Sequence, residues 1–236
     1  MNVDCLRQAF PSRRIDYYET LDSTMRAAAS LPMGSVVIAN EQTAGLGRHG
    51  HSWHSEADAG LYVSIVLEPT PVLTLALGLA AADAIAKVCG FACDVRWPND
   101  LMLGGKKCGG ILTQLADGRA IGGLGINVNH PSFPDELADV ATSLHLAGGK
   151  PVEREPLLEA IIHAIEAAVT FSAPEIIERF TRVSSYANGL RVVVDQPGGV
   201  VRGVTAGLDA SGFLKVRQDD GTVTLILAGG VRAARS

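Results

Sequence analysis

Two runs of β-forming residues, "GSVVIAN" (34–40) and "LYVSIVLE" (61–68), stand on either side of a glycine-rich stretch. No helical pattern fits between them, and this constrains the fold more than any other feature. "EQTAGLGRHGHSW" (41–53) sets Gly45, Gly47 and Gly50 in the G-x-G-x-x-G spacing of a dinucleotide fingerprint. That fingerprint needs its first glycine at the end of a strand, its third inside a helix, and an acidic residue about twenty positions on. Glu68 meets only the last condition, and "HSWHSEADAG" is too short and too poorly patterned for a crossover helix. The loop therefore joins strand to strand, which favours a mixed or antiparallel sheet over a doubly wound one.

The rest of the chain extends that reading. "IDYYET" (15–20) predicts a strand, and "LDSTMRAAASL" (21–31) a helix capped by Asp22 or Ser23. "VLTLALGLAAADAIAKVCG" (72–90) predicts a long helix ended by Gly90. "CDVRWPNDLML" (93–103) reads as two short strands around Pro98-Asn99, and "KKCGGILTQLADGRAIGGLGINVN" (106–129) as a hairpin turning at Asp117-Gly118. Leu157, Ile161, Ile162, Ile165 and Val169 recur at helical spacing, and "PEIIERFTRV" supplies a further helix. From about Gly189 short strands alternate with P-G-G, D-A-S-G and D-D-G turns, the pattern of a small all-β unit. The expected organisation is an extension over 1–14, a catalytic domain over 15–187 and a β domain over 188–236.

With 236 residues, 47% hydrophobic and 19% charged, the chain is long enough for a full enzyme core and has an ordinary globular composition. Its net charge of −5 argues against gripping a nucleic acid, and residues 1–14 leave no space for a helix-turn-helix unit. The four cysteines are too few for a disulfide framework, so reduced, mostly buried thiols are expected. "MNVDCLRQAFPSRR" lacks an apolar targeting core, and the longest apolar run carries Asp83 and Lys87. The expectation is a cytoplasmic protein with no membrane partner.

Three segments carry candidate chemistry. Backbone N–H groups of the glycine loop can wrap an anion, Arg48 can fork onto a phosphate, and Trp53 can stack on a flat base. His49, His51 and His54 in the same loop have a metal-like spacing but no carboxylate partner. In "RWPNDLMLGGKKCGGIL" (96–112), Arg96, Asn99, Asp100 and Lys107 crowd charge around a turn. Asp100 is a hard oxygen ligand suited to Mg²⁺, while a packed Trp97-Pro98 corner with a turn-capping Asp100 is an equally good structural account. In "GGLGINVN" (122–129), Gly125 inside a strand signals a close approach by a ligand or by another backbone, or else a bulge, and a bulge alone does not explain Asn127 and Asn129.

In this order, "LDST", "EQTAGLGRHGHSW", "RWPND", "KKCGGIL" and "GLGINVN" resemble the motifs of biotin protein ligases, across nearly the whole chain after residue 14. The resemblance implies a class II synthetase-like α+β catalytic domain, a mixed sheet with packed helices, followed by a C-terminal SH3-like barrel. It implies an enzyme that uses ATP and Mg²⁺ to adenylate biotin to biotinyl-5′-AMP. The biotinyl group then passes to a lysine of a biotin carboxyl carrier domain, in acetyl-CoA carboxylase or a related carboxylase, and a homodimer is compatible with this. By motif, Ser23, Thr24, Gln42, Gly45 and Arg48 would hold biotin's head group and tail, and Lys107 and Gly110 its carboxyl end and the adenylate. Trp53 would lie beside the adenine. Arg96, Asn99, Asp100 and Asn127 would serve the nucleotide, with Asp100 on the metal and Arg48 and Lys107 as the catalytic cations. The family loop usually reads G-R-G-R-x-G-R-x-W; here Leu46 and His51 replace two arginines, and Arg96 replaces the lysine before W-P-N-D. Lipoate ligases and octanoyltransferases share the superfold, and W-P-N-D, K-x-x-G-I-L and the expected C-terminal barrel favour biotin.

Overall fold

The computed structural model describes residues 1–196 and 198–234. Pro197, which opens the expected P-G-G turn, and the last two positions of the expected C-terminal domain lie outside the described residues.

The first sheet has seven strands: β1 (Ile15–Leu21), β2 (Val36–Gln42), β3 (Gly60–Leu67), β4 (Asp94–Arg96), β5 (Asp100–Leu103), β6 (Lys106–Ala116) and β7 (Arg119–Asn127), in the order β1-β2-β3-β7-β6-β5-β4. Only the β1–β2 pair is parallel. Its crossover contains the short helix α2 (Thr24–Ala28), which starts after Ser23. β6 and β7 form the expected hairpin, and both turn residues take positive φ, 48° at Asp117 and 76° at Gly118, as a two-residue turn of this hand requires.

Period-two alternation sends the strands' two faces to different fates. Val36, Ile38, Val63, Ile65, Ile111, Leu124 and Ile126 enter the main core, covered by α3 (Leu73–Cys89) and α6 (Arg154–Ala168). α3 is apolar around most of its circumference because it lies between the sheet and α6, and it ends at Gly90 with φ 79°. On the other face, Val37, Val66 and Ile121 pack with Met25 and Ala28 of α2 in a smaller cluster, leaving the ends of β2, β6 and β7 open beside it.

The expected extension over 1–14 has structure of its own. It folds as α1 (Asp4–Ala9), whose Leu6, with the following Phe10, joins the main core. A six-residue helix with one buried residue leaves no readable periodicity. Two further helices, α4 (Asp135–Ala138) and α5 (Leu144–Gly148), are too short to show one either. α7 (Ala173–Val183) opens with a capping box between Ser172 and Glu175.

The second sheet is antiparallel and comprises β8 (Asn188–Gln196), β9 (Gly199–Leu208), β10 (Leu214–Arg217), β11 (Val223–Ile226) and β12 (Gly230–Ala233), in the order β11-β10-β9-β8-β12. Val192, Val194, Leu208, Leu214, Val216, Ile226 and Val231 belong to the same core as α3. The Trp97 indole N–H donates to Gly212 O at 2.9 Å, and Gly212 lies where a Cβ would stand 3.0 Å from Leu75 Cδ1.

Candidate active site

The glycine stretch folds as a narrow excursion between β2 and β3. Leu46 and Ser52 form an isolated antiparallel bridge; Gly47 N–H donates to His51 O at 2.7 Å and Trp53 N–H to Gly45 O at 2.9 Å. A Cβ on Gly45 would sit 2.7 Å from Trp53 O and 2.9 Å from Ser55 Oγ, so the close return of the chain excludes a side chain there. Gly50 turns the tip with φ 80°. Arg48, at the tip, reaches inward, and its Nη1 donates to Asn99 Oδ1 at 3.2 Å. Burial lowers its guanidinium pKa, and Asp100 opposes that shift.

Thr24, Gln42, Arg48, Trp53, Asn99, Lys107 and Gly110, drawn from four separate stretches of sequence, line one open cavity. Its floor is the outer face of the β6–β7 hairpin, where Gly110, Gly123 and Gly125 alternate with core-facing Ile111, Leu124 and Ile126. The floor carries no side chain where neighbours come close: a Cβ on Gly125 would fall 2.5 Å from the Trp53 indole, and one on Gly123 2.5 Å from Met25 Sδ. Close approach, not a bulge, accounts for these strand glycines.

One wall is a hydrogen-bonded relay. Ser64 Oγ donates to Thr24 Oγ1 (2.8 Å), Thr24 N and Oγ1 both donate to Gln42 Oε1 (2.9 and 3.1 Å), and Gln42 Nε2 donates to Ser55 Oγ (3.0 Å). Such a wall holds its amide and hydroxyl groups in fixed orientation. The opposite end is cationic. Lys107 Nζ lies 2.6 Å from Asp100 Oδ1 and 5.2 Å from the Trp53 ring centroid, while Arg96 Nη2 lies 2.5 Å from Asp100 Oδ2. Lys107 is aimed by its backbone, whose N–H donates to Val140 O at 2.8 Å and whose carbonyl accepts from Thr142 at 2.9 Å, beside a register shift in the β5–β6 pairing. An elongated ligand with an amide-like head and an anionic tail matches this arrangement of wall, floor and cations.

The remaining sequence candidates stand around the cavity. Ser23 Oγ is buried without a hydrogen-bond partner among the described residues, next to Thr24. Gly45 supports the wall from behind. Arg96 is held by Asp100 and faces the Tyr186 ring at 5.8 Å. Asn127 is buried and donates to Thr142 O (3.0 Å), bracing the segment that aims Lys107. Asn129 is structural, exchanging two hydrogen bonds with the Val152 backbone. Met25, Leu46, Gly47, Leu112 and Gly123 complete the lining. Extending the β6–β7 alternation from Gly110 across the hairpin would have found Leu112 and Gly123; Met25 is fixed only by tertiary packing.

Asp100 fits a resident Mg²⁺ poorly. Both its oxygens face cations, Asp100 itself stands behind Lys107 rather than in the lining, and no carboxylate lines the cavity among the described residues. The three loop histidines do not converge: His49 takes φ 56°, and among the described residues His54 gathers not with His49 and His51 but with Glu56 and His130. Of the four thiols, Cys93 and Cys108 are buried, whereas Cys5 is exposed and Cys89 half-buried, so the expectation of mostly buried thiols holds for two of them.

A mixed sheet whose central hairpin presents a bare floor, an amide-lined wall and a cationic end defines an α+β enzyme of the small-molecule-binding kind. Residues 12–129, half of the chain, match the model of the Biotin/lipoate A/B protein ligase family, and the chain belongs to that family. The bifunctional ligase/repressor BirA of Bacillus subtilis is 33% identical over 92% of this chain and 73% of its own length. The biotin–[acetyl-CoA-carboxylase] ligase of Mycobacterium tuberculosis is 32% identical over 89% and 82%. The biotin protein ligase of Aquifex aeolicus, solved in complex with biotin and ATP, superposes with a TM-score of 0.85 at 29% identity, covering 94% of this chain and 99% of that one.

Proposed function

We infer that this chain is an ATP-dependent biotin protein ligase, which adenylates biotin and transfers the biotinyl group to a lysine of a carboxylase's carrier domain. The observation that carries the reading is the convergence of Thr24, Gln42, Arg48, Trp53, Asn99, Lys107 and Gly110 on one cavity in a chain of this family. In the proposed arrangement the amide-like head of biotin meets Thr24 and Gln42, with Ser23 Oγ and the edge at Gly45 nearby, and its carboxylate extends toward Arg48, Lys107 and Gly110. Trp53, Asn99 and Arg96 flank the nucleotide, and Asn127 acts by bracing the Lys107 segment.

A carboxylate is a poor acyl donor at neutral pH. In the first step its oxygen attacks the α-phosphorus of ATP in line and pyrophosphate leaves; in the second, the carrier lysine's neutral amine attacks the carbonyl and AMP leaves. Placement and charge neutralisation dominate the first step, and Lys107 and Arg48 supply fixed cations where negative oxygens crowd together. Asp100 would hold a magnesium ion accompanying the substrate ATP in competition with Lys107 and Arg96, and such an ion would supply charge neutralisation at the phosphates. The mixed anhydride is hydrolysable, which gives the arch over residues 44–53 a water-excluding role.

Residues 15–187 would carry this chemistry and residues 188–236 an SH3-like unit. A cytoplasmic location, the absence of a nucleic-acid partner and pairing into a homodimer through a sheet edge complete the proposal. They are supported by the Cys93 and Cys108 thiols, which stay reduced although only 3.7 Å apart, by the net charge of −5, and by β1 lying at one edge of its sheet. No described helix is long and apolar enough to cross a membrane.

The test is biotin-dependent ATP–pyrophosphate exchange, run in parallel with lipoate and octanoate. Lys107→Ala is expected to lower exchange by about 100-fold or more, the scale for losing a preorganised charge. Near-normal exchange in that variant would sink the site assignment, and exchange with lipoate alone would replace biotin as the substrate.

A further inference from the structure

We propose that His54, Glu56 and His130, none of which lines the ligase cavity, form a binding site for one divalent transition-metal ion, Zn²⁺ foremost, in a neighbouring hollow that Gln42 and Trp53 share. Their donor atoms, two imidazole nitrogens and a carboxylate oxygen, all lie within 4.8 Å of one another, and His54 Nε2 stands 3.8 Å from Glu56 Oε2. Donors about 2.0–2.1 Å from a tetrahedral zinc lie roughly 3.3 Å apart, so the cluster must close by up to about 1.5 Å. The side chains of His54 and Glu56 are 39% and 55% exposed and free to make that movement.

The fold fixes the two segments that carry these residues. β3 and β7 pair with Gly60 opposite Asn127, and the ladder continues outward as Val128 and Asn129 N–H groups both donate to Ala59 O. Glu56 and His130 therefore project from neighbouring chain segments just beyond the ladder's end. His130 is fully buried, stacked on Phe133 with ring centroids 5.1 Å apart. Its Nε2 faces Tyr62 Oη at 3.5 Å, and its Nδ1 has no hydrogen-bond partner among the described residues. A buried nitrogen without a partner is uncommon, because it has given up its water and gained nothing in return; an outer-shell contact from the other ring nitrogen is what metal-bound histidines usually make. His54 and Glu56 line an open hollow shared with Glu41 and Glu136, which gives an ion an entry route and a negative potential. Two imidazoles and one carboxylate suit zinc, nickel, cobalt or copper, whereas magnesium and calcium take all-oxygen sets. The set leaves a coordination position for water.

The experiment uses tag-free, chelator-treated full-length protein. Zn²⁺ is titrated against a chromophoric competitor, and Co²⁺ is added separately to read the visible absorption of a low-symmetry site. One equivalent of Zn²⁺ is expected to bind with micromolar or tighter affinity, weakened at least about 10–100-fold in His54→Ala and in Glu56→Gln, the scale that even an outer-shell partner of a metal ligand carries. Both are exposed positions, and circular dichroism reports that the variants remain folded. His51→Ala, in the same loop but outside the cluster, is expected to bind as the parent does. Absence of stoichiometric binding, binding indifferent to His54→Ala and Glu56→Gln, or equal loss in His51→Ala would each overturn the site.

Discussion

Gly125 and Trp53 depend on each other. The indole rests on the bare backbone of β7, its Nε1 buried without a partner among the described residues, and a methyl group at residue 125 would fall 2.5 Å from it. Gly125→Ala must therefore displace the ring, although a strand tolerates alanine as well as glycine or better. We expect the variant to keep its thermal midpoint within a few degrees while biotin-dependent pyrophosphate exchange falls about tenfold, or 1.4 kcal/mol of transition-state stabilisation. Unchanged exchange would mean that the ring's position is irrelevant to the reaction. At this scale the sequence was informative wherever a residue's chemistry is unusual for its surroundings: a lysine and an arginine beside glycines, a glycine within a strand. It was silent about Met25 and about the Val140–Thr142 backbone that aims Lys107, because ordinary residues acquire those tasks only through tertiary contact.

Among the elements, the glycine arch between β2 and β3 is tied to the β4–β5 turn by the Arg48–Asn99 hydrogen bond, which Asn99 extends by donating to Ile111 O at 2.9 Å. With Leu46 and His51 where the family pattern has arginines, Arg48 is the arch's one fixed charge. Arg48→Gly is expected to release the adenylate into solution, raising biotin labelling of a bystander protein at least about tenfold on a streptavidin blot, through weaker retention of the intermediate. Labelling that stays confined to the carrier domain would contradict that role. The arch, the hairpin and the long helix α3 were legible because turn residues and periodicity mark them. α1, α4 and α5 span 6, 4 and 5 residues, too short for a 3.6-residue period to repeat convincingly. The loop histidines misdirected for a related reason. H-x-H-x-x-H places three donors near one another in sequence, but the turn at His49 separates them, and His54's neighbours in space come from Glu56 and the distant His130.

Across the whole molecule, one continuous apolar core runs from α1 through α3 and α6 into the second sheet. The two sheets therefore share their stabilisation, although the change in sequence character near Asn188 marks two styles of folding. Trp97, 3% exposed, joins them through its bond to Gly212 O. Trp97→Phe leaves that carbonyl without its donor, at a cost of about 1–3 kcal/mol. Urea unfolding followed by far-UV circular dichroism should show the loss as a lower midpoint; a change under about 0.5 kcal/mol would show that the hydrogen bond contributes little to the junction.

The chain has two tryptophans, and the fold has put one at each place that matters. Trp53 lies against the floor of the cavity with an ammonium group 5.2 Å from its ring, and Trp97 is sealed in the junction between the sheets. Ultraviolet emission from this protein is thus a two-channel signal, with one chromophore reporting whatever enters the cleft and the other the integrity of the joint. Replacing either by phenylalanine isolates the other, so ligand arrival and loosening of the joint can be timed separately without any added dye.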